Sequence, residues 1–187
     1  MADGRGVKHR MMNIPTLETE RLLLRAWRES DLEALASMFA DPEVTRFLGP
    51  PLARNDTWRS LAAMIGHWVL RGFGMWAVER KSDSALLGRV GVWRPEGWPG
   101  TEVVWTLGRQ YWGQGYATEA ARASIDFGFR TCPVPKLISL INPENRASQN
   151  VAKRLGMTNG GKATIVAWGN SHTPDVWEIT RDRWSSG

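Results

Sequence analysis

Two hydrophobic periods alternate along the chain, and the switches between them predict the order of its secondary structure. Runs rich in apolar, branched and aromatic residues predict strands, whereas apolar residues three or four positions apart predict helices that bury one face. The predicted strands span residues 21–27, 74–81, 86–95, 101–107, 136–142, 164–168 and 175–184. The predicted helices span residues 30–41, 55–72, 117–130 and 145–156. The resulting order is β-α-α-β-β-β-α-β-α-β-β.

Several helix ends are marked by residues that can satisfy free backbone groups. Ser30 followed by Glu33 fits a capping box for the first helix, and Asn55 or Asp56 can cap the second. Asn145 is expected to cap the last helix. Adjacent strands next to strand–helix–strand units are typical of an α/β domain with a mixed sheet and helices on its faces.

Composition favours one globular domain and narrows its environment. The chain has 187 residues, of which 42% are hydrophobic and 23% are charged, so it is long enough for one buried core. We expect a flexible lead-in over residues 1–15 and a single domain over residues 16–187. The single cysteine excludes an internal disulfide, and the N-terminus lacks the apolar segment of a signal peptide. We therefore expect a cytoplasmic protein.

The charge of the chain points to an acidic ligand without specifying it. The net charge is +5, a balance that suits nucleic acid, phosphorylated cofactors or acidic proteins. The basic residues are scattered, which argues against a nucleic-acid-binding surface of clustered cations and exposed aromatic rings. The three histidines lack the spacing of metal ligands, so we expect no metal ion.

Glycines stand where the strand at 101–107 passes into the helix at 117–130. Glycine lets the backbone approach a ligand closely, and a helix start offers free N–H groups with a partial positive charge. Residues 113–117 therefore form a candidate phosphate cradle. A Walker A loop would need Lys and Ser/Thr where Gln114 and Gly115 stand, and the dinucleotide pattern would need glycine in place of Thr118. A turn without a ligand is the alternative.

The residues around these glycines resemble a known family. QYWGQGYA, residues 110–117, matches the Q/R-x-x-G-x-G/A acyl-CoA pyrophosphate loop of the GNAT N-acetyltransferases. TLETERLLLRAWRESDLEALASMFADPEV, YWGQGYATEA and INPENRASQNVAKRLGM resemble stretches of the branch that acetylates the N-termini of ribosomal proteins. The resemblance covers about residues 16–182. It implies the GNAT fold, with a mixed, mostly antiparallel sheet of six to seven strands and helices on both faces.

The resemblance also implies an activity and the residues that perform it. GNAT enzymes transfer an acetyl group from acetyl-CoA to an amine in one ternary complex. In this branch a glutamate on the strand before the loop commonly serves as the base, and Glu102 occupies that position. Ser148 shares an inward helix stripe with Val151, Ala152 and Leu155, so we expect its hydroxyl to hydrogen-bond or protonate the departing thiolate. The alternatives are an exposed glutamate and a small packing residue.

The cofactor contacts implied by the resemblance fall into three groups. In the family, the strand before the loop parts from its parallel neighbour and pairs with the pantetheine arm, in the manner of an added strand. The strand residues implied here are Val104, Trp105, Thr106 and Leu107. The loop residues implied are Gln110, Gly113, Gln114, Gly115, Tyr116, Ala117 and Thr118. Asn142 and Asn145 match the family's N-x-x-N-x-x-S segment.

The amine acceptor is the least constrained part of the prediction. It can be a protein N-terminus or a small molecule, and the aromatic and apolar candidates for its pocket are Trp27, Phe47, Leu48, Trp93 and Trp168. Core packing is the alternative role for each of them. An acyl-CoA-binding module without transferase activity is the competing function, since it needs the glycine loop but no base. A homodimer is compatible with the branch and with the eleven tryptophans.

Overall fold

The computed structural model describes residues 14–167 and 170–186. Its strands are β1 (Leu17–Glu18), β2 (Leu22–Arg25), β3 (Met75–Arg80), β4 (Leu86–Trp93), β5 (Glu102–Leu107), β6 (Lys136–Ile141), β7 (Thr158–Lys162), β8 (Ile165–Ala167), β9 (Asn170–His172) and β10 (Asp175–Thr180). Its helices are α1 (Leu32–Ala40), α2 (Pro42–Thr45), α3 (Arg54–Arg71), α4 (Tyr116–Thr131), α5 (Arg146–Arg154) and α6 (Arg181–Ser185). In these two ranges, no helix is both long enough and apolar enough to cross a lipid bilayer.

A mixed central sheet of eight strands organises the molecule. Its order is β1-β2-β3-β4-β5-β6-β10-β7, and β8 and β9 form a separate hairpin. The pair β5–β6 is parallel, whereas the other neighbours are antiparallel. The α/β class and the mostly antiparallel sheet are confirmed, but the expected six to seven strands are wrong. The extra strands are β1, which has two residues, and β7, whose sequence TNGGK is exposed throughout and has no apolar period.

Helices cover both faces of this sheet and divide the buried core into two clusters. The first cluster lies mainly under α4 and includes Leu87, Val103 and Ile125, which are fully buried. The second lies mainly under α1 and α3 and includes Phe39 and Met64, each about 1% exposed. Strands β4 and β5 contribute to both clusters because successive side chains point to opposite faces. The site described below draws on both sides: Val104 packs on the second cluster, whereas Trp105 and Tyr116 pack in the first.

Of the three predicted helix caps, one is confirmed and two are wrong. Asn145 caps α5, because its side-chain oxygen accepts a hydrogen bond from the Ser148 N–H at 3.1 Å. Helix α3 instead begins after Ala53, whose side chain cannot cap, so the predicted cap at Asn55 or Asp56 is wrong. These two residues lie inside the first turn, where the backbone is already helical.

The predicted capping box at the first helix is also wrong. Asp31 precedes α1 and accepts a hydrogen bond from the Arg28 N–H at 2.8 Å. Glu33 points away and pairs with Arg54 of α3. A buried guanidinium, that of Arg25, holds Asp31 in place, and a sequence pattern carries no sign of that long-range contact.

Two further predictions concern the end of the chain. The predicted strand at 175–184 ends at Thr180, because the Thr180 side chain accepts from the Arg183 N–H and begins α6. The predicted strand at 164–168 corresponds to β8, which pairs with β9 outside the central sheet. Trp168 lies outside the described residues.

Candidate active site

The two parallel strands at the centre of the sheet part almost as soon as they meet. Their register contains one pair, Glu102 with Ile138, while β6 continues along β10. Beyond that pair, the Ser139 hydroxyl donates to the Val103 carbonyl at 3.0 Å. In the described chain, the rest of β5 has β4 as its strand neighbour on one side and an opening on the other. An extended ligand arm can pair with such an edge.

Glu102 lies at the point where the strands part, and its carboxylate bridges two elements. Its Oε1 accepts from the Leu140 N–H at 2.9 Å, and its Oε2 accepts from the Trp98 indole N–H at 2.7 Å. The side chain is only 6% exposed. Burial raises the pKa of Glu102 to about 7, against the opposing effect of these two hydrogen bonds and of the Arg89 charge. Near neutral pH this carboxyl is therefore poised between its two protonation states.

Ser148 faces the opening from the first turn of α5. The Trp105 indole N–H of β5 donates to the Ser148 Oγ at 3.3 Å, so the indole spans the gap between strand and helix. Because this bond uses an acceptor position of the hydroxyl, the serine proton is free to be donated elsewhere. Ser148 thus lies opposite the edge of β5, as the helix stripe predicts.

The glycine loop has the backbone that its sequence predicts. Gly113 and Gly115 have φ of 74° and 84°, which is left-handed backbone that side chains disfavour. Gly115 is the N-cap of α4, and Tyr116 is its first residue. The free N–H groups of that first turn therefore face the loop. The predicted loop residues Gln114, Tyr116 and Ala117 surround the same helix start.

Arg21, the residue before β2, binds this loop. The sequence did not predict this role. Its Nη1 donates to the Gln114 carbonyl at 3.0 Å, its Nε donates to the Glu119 carboxylate at 2.7 Å, and its guanidinium lies 4.4 Å from the centre of the Tyr116 ring. The motif ERLLLR contains Arg21, but nothing in that motif indicates a partner almost a hundred positions away.

The loop borders a surface cleft of about 750 Å³ that fits a phosphorylated ligand. Thr118 lines it, and its Oγ1 is buried without a hydrogen-bond partner among the described residues. Arg21, Arg122 and Arg154 line the same cleft. Four carboxylates, those of Glu18, Glu20, Glu119 and Asp126, line it too, and Arg21 is paired with Glu119. The features that suit the diphosphate of coenzyme A are therefore the glycine cradle and the unused Thr118 hydroxyl rather than the net charge of the cleft.

Other predicted cofactor residues have partners within the chain. The Leu107 carbonyl accepts from the Trp112 indole N–H at 2.8 Å, and the Gln110 carbonyl accepts from the Gln114 side-chain amide at 2.9 Å. The Asn142 side-chain oxygen accepts from the Glu144 N–H at 2.9 Å. These bonds shape the loop and the β6–α5 turn, so these groups position the site's backbone.

The remaining β5 residues and the acceptor candidates differ in how deeply they are buried and in what they pack against. Val104 is half-buried and packs on the second core cluster, while Thr106 is buried and its Oγ1 has no partner within the described ranges. Trp27 is core, since its indole donates to the Met75 carbonyl. Trp93 stacks on His67 at 4.2 Å. Two further candidates, Phe47 and Leu48, are half-buried after α2.

A parted parallel strand pair, a titratable carboxyl at the parting and a phosphate cradle at the next helix define the class of acyl-CoA-dependent transferases. Residues 21–158 match the family model described as an acetyltransferase (GNAT) domain. The chain therefore belongs to the GNAT acetyltransferase family, and it is an acetyltransferase with the fold of that family.

Individual relatives agree with this assignment. The chain is 33% identical over 155 residues to the uncharacterized protein YkkB of Bacillus subtilis strain 168, covering 78% of this chain and 87% of that protein. It is 30% identical over 149 residues to the uncharacterized N-acetyltransferase p20 of Bacillus licheniformis, covering 78% and 84%.

Solved structures extend the similarity to the fold. The acetyltransferase of Agrobacterium tumefaciens strain C58 superposes with a TM-score of 0.79 at 31% identity, covering 90% of this chain and 95% of that one. The ribosomal-protein-S5-alanine acetyltransferase of Vibrio fischeri superposes with a TM-score of 0.68 at 20% identity, covering 91% and 98%. The structural neighbours thus include ribosomal-protein acetyltransferases, the branch that the sequence resembles.

Proposed function

We propose that the protein transfers the acetyl group of acetyl-CoA directly to a primary amine, with Glu102 as the base. The observation that carries this proposal is the position of the Glu102 carboxyl, buried at the parting of β5 and β6 with a pKa of about 7. A base works best when its pKa lies near the working pH. The carboxylate holds two hydrogen bonds and still has lone pairs through which it can accept a proton from the amine or from a bridging water.

The pKa of Glu102 also bears on the kind of amine. An α-amino group has a pKa of about 7.7–8.0, whereas a lysine ammonium has one of about 10.4. Moving a proton to a base with a pKa of about 7 costs about 1 kcal/mol from the first and about 5 kcal/mol from the second. The base is therefore matched to the α-amine of a protein or peptide N-terminus better than to a lysine side chain.

Within the same proposal, Ser148 assists the departure of the thiolate. Trp105 fixes the Ser148 oxygen from β5, so the hydroxyl hydrogen can point into the opening. A neutral hydroxyl is a weak acid, and its contribution is a hydrogen bond to the developing negative charge. The backbone of residues 104–107 would lie along the pantetheine arm, and the start of α4 would hold the diphosphate.

Acetyl-CoA supplies the activated thioester, and this chain supplies its orientation. The Gly113–Thr118 segment would hold the diphosphate through its backbone N–H groups, with Arg122 and Arg154 beside it. We further propose that the enzyme works in the cytoplasm, in keeping with its one buried cysteine, Cys132. A homodimer belongs to the same proposal, and analytical ultracentrifugation of the purified chain would test it.

A thiol-release assay with acetyl-CoA tests the proposal. The acceptors are N-terminal peptides, amino acids and small amines, and the enzymes are the wild type, Glu102→Gln and Ser148→Ala. We expect turnover in the wild type, a loss of about a hundredfold or more in Glu102→Gln, and a loss of about tenfold in Ser148→Ala.

Three outcomes discriminate the alternatives, provided that thermal unfolding shows both variants to be folded. Undiminished turnover in both would remove these two catalytic roles. Tight binding of coenzyme A without turnover of any acceptor would instead identify an acyl-CoA-binding module. A wild type that neither binds nor turns over would refute the cradle as well.

A further inference from the structure

Arg89 is a buried cation without a counter-ion in the described structure. It lies on β4, points to the second core cluster and is 9% exposed. Its guanidinium stands 4.8 Å from the centre of the Phe39 ring, and its Nη1 reaches the Met64 sulfur at 3.9 Å. Its Nε is buried with no hydrogen-bond partner, and no carboxylate of residues 14–167 or 170–186 lies within ion-pair distance.

The other buried arginine of this face shows what a structural guanidinium looks like here. Arg25 donates from both Nη atoms to Asp31 at 2.8 Å and from Nε to Glu79 at 2.6 Å. A buried charge is tolerated when it is paired and strongly destabilising when it is not. The chain therefore pairs one buried guanidinium completely and leaves the other among a thioether and an aromatic ring. That contrast indicates that the partner of Arg89 is not among residues 14–167 and 170–186, and a bound ligand can supply it.

The surroundings of Arg89 place that partner on the same face of the sheet as Glu102. Arg89 of β4 is registered directly against Thr106 of β5, so the two side chains share one face. That face also carries Val104 and Glu102, because alternate residues of a strand point the same way. The Thr106 hydroxyl is a second buried group that finds no partner in the part of the chain described.

The charges of this face are coupled as well as adjacent. Burial lowers the pKa of Arg89 to about 10, while the charge of Glu102 raises it, and the charge of Arg89 lowers the pKa of Glu102. Arg89 thus remains charged at neutral pH and lies within electrostatic reach of the base. An anion bound to it would lie on the same face of β5 as Glu102, four strand residues away.

We propose that Arg89 and Thr106 bind a carboxylate carried by the amine acceptor, so that the enzyme selects acceptors with a negative charge near the amine. The inference rests on the proposed transferase function and deepens it. A guanidinium fork matches a carboxylate with two parallel N–H donors, and the Thr106 hydroxyl can add a third. The same positive charge repels polyamines and strongly basic peptides. The carboxylate can belong to a free amino acid or to an acidic residue of a peptide.

The first test compares acceptors with and without the carboxylate charge, at equal concentrations of the neutral amine. Glycine, β-alanine and 4-aminobutanoate are each paired with their amide, and kcat/KM is measured for the wild type, Arg89→Met and Arg89→Lys. In the wild type we expect the best acid to exceed its amide by about ten- to a hundredfold. Arg89→Met should bring this ratio to about one, and Arg89→Lys should retain part of it, because it keeps the charge but loses the fork. Wild-type ratios near one for all three pairs, together with equal rates for the acidic and amide peptides of the next test, would overturn the proposal while leaving acetyl transfer in place.

The second test separates the two sources of the carboxylate. Peptides beginning Gly-Asp and Gly-Asn are compared with the free amino acids in the same three enzymes. A charge preference confined to the free amino acids identifies a small-molecule acceptor, and one confined to the peptides identifies an acidic N-terminus. Equal treatment of Asp and Asn peptides together with equal treatment of acids and amides would contradict the role of Arg89.

The third test does not require turnover. The thermal shift of the coenzyme A complex by β-alanine, with β-alaninamide as the control, is measured in the wild type and Arg89→Met. A shift in the wild type that is lost in the variant supports the carboxylate site even where no acceptor is acetylated, in which case only the proposed transferase function fails. No acid-specific shift in the wild type, together with no acid preference, overturns the site.

Stability distinguishes this role from a structural one. Replacing an unpaired buried charge with an apolar chain of similar length is neutral or stabilising, so Arg89→Met should unfold at the same temperature as the wild type or higher. Arg25→Met is the matched control and should unfold at a lower temperature, because it leaves Asp31 and Glu79 buried. A loss of stability in Arg89→Met as large as that in Arg25→Met would show that Arg89 holds the fold.

Discussion

The indole of Trp98 sets the proton affinity of the proposed base, and its removal makes a quantitative prediction. Trp98→Phe deletes the N–H that donates to the Glu102 Oε2 at 2.7 Å and keeps an aromatic ring in place. This bond stabilises the ionised carboxyl, so its loss raises the pKa of Glu102 above about 7. A hydrogen bond to a charged group contributes about 1.5–3 kcal/mol. Partial replacement by water leaves a shift of about one unit, since one unit equals about 1.4 kcal/mol.

The assay is the pH dependence of kcat/KM between about pH 5.5 and 9.5 with one fixed acceptor. A base with a pKa of about 7 is half ionised at pH 7, and one with a pKa of about 8 is about one-tenth ionised. Trp98→Phe should therefore be about fivefold slower at pH 7 and as fast as the wild type above about pH 9. Ionisation of the acceptor adds the same acidic limb to both profiles, so the difference between the profiles belongs to the enzyme.

Trp58→Phe is the matched control, because Trp58 is 52% exposed on α3 and does not touch Glu102. Its profile should coincide with that of the wild type. An acidic limb that stays in place in a folded Trp98→Phe variant would mean that Glu102 is not the group that titrates in catalysis.

Four other variants probe the fold and the site. Gly115→Ala forces a side chain into left-handed backbone at φ of 84°, so calorimetry should show coenzyme A binding about five- to tenfold more weakly; unchanged affinity would argue against the cradle. Trp105→Phe removes the bond to Ser148 and should lower kcat about fivefold with little change in the KM for acetyl-CoA; an equal rise in that KM would point to cofactor binding. Arg25→Met should lower the free energy of unfolding by about 3–5 kcal/mol, measured by urea denaturation; a loss below about 1 kcal/mol would contradict the ion-pair network. Glu102→Gln should change how the free energy of unfolding depends on pH, because folding raises the pKa of Glu102 from 4.5 to about 7. Between about pH 4.5 and 7 the wild type should lose about 3 kcal/mol of stability relative to the variant, and parallel curves for the two proteins would refute the raised pKa.

Local patterns predicted the parts of the fold that local forces determine. The glycines at 113 and 115 stand where left-handed backbone is needed, and Asn145 caps its helix with its own side chain. The strand at 101–107 is rich in branched and aromatic residues, and β5 occupies 102–107. In each of these places the residue and its partner lie within a few positions of each other.

The parts that sequence reasoning missed depend on contacts between distant positions. Asp31 cannot be recognised as the residue before α1 without Arg25 beside it, and Arg21 cannot be assigned to the glycine loop without the folded sheet. Strand β7 forms because β10 offers it an edge, although TNGGK has low strand propensity.

The candidate site also combines residues that the sequence predicted with contacts that depend on the tertiary structure. Glu102 and Ser148 were found through a family resemblance, but their bonds to Leu140, Trp98 and Trp105 follow from tertiary structure. Arg89 reads in sequence as an ordinary charge in a strand. Its proposed role depends on the lack of a hydrogen-bond partner for its Nε among the described residues, and only the folded structure shows that lack.

The short register between β5 and β6 has a consequence for cooperativity. Within the sheet, one backbone pair and a few side-chain bonds join the β1–β5 half to the half formed by β6, β10 and β7, and the first core cluster packs across both. A molecule bound between β5 and β6 would contact both halves of the sheet, so its binding free energy would stabilise the folded protein by mass action. Amide hydrogens on the two halves should then exchange as separate units in the free protein and as one unit once the gap is filled.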